Sequence, residues 1–110
     1  MKVKEVIQIL DDFAPLSYAE GFDNTGLLVG DTNASVSGIL VTLDTLEEVV
    51  DEAIKNNCNL IVSFHPIIFS GLKKLTGKTY VERVVQKAIK NDINIFAIHT
   101  ALDNAWNGVN

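Results

Sequence analysis

One cysteine in 110 residues rules out an internal disulfide. Cys58 stands beside an apolar run and reads as a half-buried thiol, which fits a reducing, cytoplasmic setting. Basic residues are also scarce, 9 Lys and Arg against 14 Asp and Glu for a net charge of −5. A chain so charged has no basic stripe to neutralise a phosphate backbone, which argues against a nucleic-acid partner. No apolar run approaches the roughly 20 residues that a membrane-crossing helix needs. The N-terminal stretch is no exception, since Glu5, Gln8, Asp11 and Asp12 interrupt it at helical spacing and make it an amphipathic helix, not an export signal.

What is present is apolar content of 47%, enough for the core of one domain over residues 1–110. Val3, Val6, Ile7, Leu10, Phe13 and Ala14 form a three- and four-residue stripe, predicting a first helix that ends before Pro15. A glycine-rich segment then breaks the period and leads into a strand at Leu27, Leu28 and Val29. SGILVTLD is a second β-rich run. A capping box of Thr45 and Glu48 predicts the next helix, with Leu46, Val49, Val50, Ala53 and Ile54 as its buried stripe. Thr79 and Glu82 repeat the box before Val81, Val84, Val85, Ala88 and Ile89.

Set at an offset of 35, VVDEAIKNNCNLIVSF matches VVQKAIKNDINIFAIH as a twice-used helix–strand module. Duplication and similar structural demand explain the match equally well. The alignment puts His99 in the slot of Phe64. Alternating strands and helices with apolar strands predict an α/β fold, a three-layer arrangement with a mostly parallel sheet flanked by helices. Ligands of such sheets gather outside the carboxyl ends of the strands.

Those ends carry the chemistry. His65 follows the apolar run LIVSF and precedes Pro66, which stops the strand and holds the histidine in a turn. His99 follows INIFAI, and Asp103 lies four residues beyond it. A lone histidine at a strand end is more often structural, but two imidazoles and a carboxylate converging on one edge suit a divalent metal. Two or three ligands still fall short of a two-metal site, and the chain reads as the N-terminal part of a larger domain, truncated after Asn110. Asp23 and Asn24 read as a turn, with substrate contact as the alternative. Lys73, Lys74 and Lys78 read as a solvated loop, with attraction of an anionic phosphate as the alternative.

GFDNTGLLVG, SFHPIIFSGLKKL and IHTALDNAWNGVN, in this order, resemble the N-terminal motifs of the type 2 GTP cyclohydrolase I homologue family, also called Ngg-interacting-factor-three-like. The resemblance implies a two-metal site of zinc, iron or manganese at the mouth of an α/β domain, in a hexameric ring. By motif match it assigns His65 and Asp103 as metal ligands and His99 as a neighbour with a catalytic role. Phe64 stands where the family pattern has a first histidine, which puts one metal position in doubt. The implied activity is that of a metal-dependent hydrolase of unknown substrate, with nucleotides and phosphate esters as candidates. The alternatives are a metal-binding scaffold or regulatory partner without turnover, and an α/β domain with incidental histidines.

Overall fold

The computed structural model describes residues 1–13, 25–68 and 71–98. The elements are α1 (Val3–Phe13), β1 (Gly26–Val29), β2 (Ile39–Thr42), α2 (Glu47–Lys55), β3 (Leu60–Ser63), α3 (Tyr80–Lys90) and β4 (Asn94–Ala97). The sheet runs β1-β4-β3-β2. β2 pairs parallel with β3, and β3 with β4, while β1 lies antiparallel on β4. The sheet is thus mostly parallel, as the apolar strands predict.

The alternating strand periodicity divides the core between two faces. On one, Ile61, Ile95 and Val29 pack against Val50 and Ala53 of α2 and Val84, Val85 and Ala88 of α3. On the other, Leu60, Val62 and Phe96 pack against Val6, with Ile7 and Leu10 beside them. Helices therefore cover both faces in three layers. The stripes are narrower than the sequence spacing implies, because Leu46, Ile54 and Ile89 sit at the rims of their helices and stay exposed. Across the helix pair, Arg83 meets Glu47 and Lys87 meets Asp51, each at 2.8 Å.

The two capping boxes turn out differently. Thr79 caps α3, its hydroxyl accepting from the Glu82 amide at 3.2 Å. The Glu82 carboxylate reaches beyond the cap to accept from the Thr76 and Lys78 amides. No such box opens α2, whose N-cap is Leu46 with no side-chain bond. Thr45 falls one residue too early and is buried, its Oγ1 lacking any hydrogen-bond partner. The amides of Val49 and Val50 both bond to the Leu46 carbonyl instead.

The helical repeat holds at 35 residues: Val50 and Val85, Ala53 and Ala88, and the C-caps Asn56 and Asn91 take equivalent places. The strands do not follow it. Leu60 pairs with Asn94 and Ser63 with Ala97, an offset of 34. The cause is turn length, since residues 56–59 link α2 to β3 whereas only 91–93 link α3 to β4. Side chains alternate in strands, so this single residue reverses the facing of every later position relative to the repeat. Phe64 and Ile98 therefore follow Ser63 and Ala97 at the same level, and both line one apolar hollow with Val41, Leu43 and Val62.

The asparagines common to both modules have structural work. Asn59 donates to Ser35 O at 2.7 Å and accepts from Ser37 N at 2.8 Å, seating the connection that precedes β2. Buried Asn94 accepts from Asp31 N at 2.8 Å and donates to Asn59 O at 2.9 Å. Gly30 makes that approach possible, because at φ +129° any Cβ would lie 2.0 Å from Asn94 Oδ1.

Candidate functional site

β2 and β3 finish in register, Thr42 beside Ser63, and their ladder continues past the strands. The Phe64 amide donates to Thr42 O at 3.1 Å and the His65 amide to Leu43 O at 2.9 Å. Two residues beyond each strand end stand Asp44 and His65. His65 Nδ1 lies 2.7 Å from Asp44 Oδ1. A carboxylate can only accept, so this contact puts a proton on Nδ1, which in the neutral imidazole leaves the lone pair on Nε2.

The main chain around the pair is held independently of it. Ser63, fully buried, donates its hydroxyl to His65 O at 2.9 Å. Thr42 Oγ1 donates to Asp44 O at 3.0 Å. Phe64 brings its ring edge-on to the imidazole, centroids 5.4 Å apart at 78°. Both partners of the pair remain open, with side-chain exposures of 43% for His65 and 51% for Asp44. Even a fully charged pair this exposed contributes at most about 1 kcal/mol to stability, so the worth of the contact lies in orientation.

Among the sequence-predicted site residues, His65 stands at the carboxyl edge of the sheet as expected. His99, Asp103, Asp23 and Asn24 lie outside the described residues. Asp44 is the residue that sequence reasoning missed. Its signal was available, because the β-rich run SGILVTLD ends on an acid as LIVSFH ends on a histidine. Among the described residues no group of three or more His, Cys, Asp or Glu converges for a metal. The donor set present, a histidine whose ring is oriented by a carboxylate, is one that suits a divalent cation.

Beyond Pro66 a hollow of about 870 Å³ opens toward the start of α3, lined by Pro66, Lys73, Lys74, Thr79, Tyr80 and Glu82. Lys73, Lys74 and Lys78 are exposed, as a solvated loop would leave them. Cys58 is half-buried and free. No helix among the described residues is long and apolar enough to cross a membrane.

Fold and edge together define an α/β protein with a carboxylate-held histidine at the carboxyl ends of its parallel strands. The chain belongs to the Duf34/NIF3 (NGG1p interacting factor 3) family, whose profile matches residues 1–110. It is 46% identical over its whole length to a Clostridium acetobutylicum protein named GTP cyclohydrolase 1 type 2 homolog, of which it covers 41%. A Staphylococcus aureus crystal structure matches 94% of the chain at 45% identity and a TM-score of 0.91, over 33% of that protein. Reduced HcgD from Methanocaldococcus jannaschii matches all of it at 32% identity and a TM-score of 0.90, over 44% of that protein. The chain thus spans less than half the length of these relatives.

Proposed function

We propose that the carboxyl edge of the sheet is one part of a divalent-metal site, zinc, iron or manganese, and that the whole protein is a metal-dependent hydrolase. The observation that carries this is the 2.7 Å contact from Asp44 to His65 Nδ1, which turns the imidazole into an oriented donor through Nε2. His65 and Asp103 are the proposed ligands, with His99 beside them as the residue that moves or holds a proton. A bound divalent cation would supply Lewis acidity toward water and toward a polarised carbon or phosphorus centre. Pro66 and the Ser63 hydroxyl keep the His65 backbone in its turn. Lys73 and Lys74, on the neighbouring hollow, suit an anionic substrate such as a nucleotide or phosphate ester. The name borne by the Clostridium relative points to the same substrate class. Family membership alone does not fix a substrate.

A second reading, a metal-binding scaffold without turnover, is favoured by Phe64. Its ring fills space beside His65 and offers no donor atom, which suits one metal position better than two. A hexameric ring in the cytoplasm belongs to both readings. A panel of nucleotides and cyclic phosphate esters, assayed with parent, His65→Ala and Asp103→Ala proteins, separates them. Hydrolase action requires turnover that falls at least ~100-fold in both variants, by the usual cost of losing a metal or its activated water. Turnover indifferent to both substitutions contradicts it.

A further inference from the structure

We infer that Asp44 is the positioning residue of the metal centre, fixing His65 in the tautomer that binds through Nε2; the inference rests on the metal reading above. An imidazole free in water favours the other tautomer, with its proton on Nε2 and its lone pair on Nδ1. A metal that meets such a ring must first wait for the proton to move or take the wrong nitrogen. The Asp44 carboxylate, 2.7 Å from Nδ1, removes that choice.

Three features show that the contact is built into the fold. Asp44 and His65 continue the parallel register of Thr42 with Ser63, so the two strands themselves bring the pair together. The His65 amide is tied to Leu43 O, the residue next to Asp44. The carbonyls of both residues accept from hydroxyls, Ser63 Oγ to His65 and Thr42 Oγ1 to Asp44, at 2.9 and 3.0 Å. Loss of the carboxylate should therefore leave the backbone where it is. Coulombic attraction cannot be the main purpose of a pair exposed on both sides, because solvent screens it. Outer-shell carboxylates of this kind typically change metal affinity by roughly 10–100-fold when removed.

The test is a long-range ¹⁵N–¹H correlation spectrum of the metal-free full chain above the pH at which imidazole protonates. The signals that His65→Ala removes are those of His65. The parent should show His65 with its proton on Nδ1, and Asp44→Ala should move the population toward Nε2–H while the melting temperature stays close to parent. Asp44→Asn, a neutral and weaker acceptor, should fall between and covers the case in which the alanine variant folds poorly. Zinc alone, titrated into the same proteins, should bind roughly 10–100-fold more weakly to Asp44→Ala. An unchanged His65 tautomer in both variants overturns the role of Asp44, whatever zinc does. Unchanged zinc affinity in His65→Ala instead overturns the metal reading and leaves the tautomer result standing.

Discussion

Burying a hydroxyl without a partner costs roughly 1–3 kcal/mol, and Thr45 is such a case. At 2% exposure its Oγ1 can neither reach water nor cap α2. Thr45→Val keeps the branched shape and deletes the oxygen. It should raise stability by about 1 kcal/mol, or several degrees in melting temperature. Thermal unfolding checks this, and a lower melting temperature contradicts the view that the hydroxyl lacks a partner. The same residue shows a limit of sequence reading. Thr45 and Glu48 have the spacing of a capping box, but the pattern does not reveal which of two adjacent residues, Thr45 or Leu46, will be buried. Tertiary packing decided that, and it buried the threonine and exposed the leucine.

At the scale of elements, α3 depends on a carboxylate that reaches out of the helix. Glu82 is held below the usual carboxylate range, chiefly by the Thr76 backbone amide; desolvation, next in size, opposes this, and the Lys78 amide and the Thr76 and Thr79 hydroxyls add to the lowering. A carboxyl whose pKa is lowered on folding contributes stability that is fully present above its unfolded value and is lost as pH falls through its folded value. Acid titration of stability, from about pH 5 downward, should therefore be shallower for Glu82→Gln than for the parent. Equal slopes would show that Glu82 does not clamp the 76–79 turn. The second capping box was legible because Thr79 and Glu82 belong to one local turn. The strand register was not, because a difference of one residue between the turns 56–59 and 91–93 leaves no mark on the helical pattern. Asn59 and Asn94 stood out in the repeat, yet their partners, Ser35, Ser37 and Asp31, lie too far along the chain for spacing to disclose.

For the whole molecule, the order of elements and the parallel crossovers followed from apolar strands alternating with amphipathic helices, and they delivered His65 to the predicted edge. The antiparallel placement of β1 against β4 did not follow, since Leu27 and Val29 carry no sign of direction. Asp44 escaped notice because a residue that acts through another need not sit in a recognisable ligand motif. The edge brings a carboxylate and an imidazole together at 2.7 Å, the arrangement on which the proposed cation site rests. The direct measurement is calorimetric titration of zinc into the full chain and into His65→Ala, with metal per chain counted after desalting. Stoichiometric binding by the parent is expected, with the affinity lowered at least about tenfold by the substitution, as loss of a ligand entails. Equal affinity and equal metal content in the two proteins would contradict it.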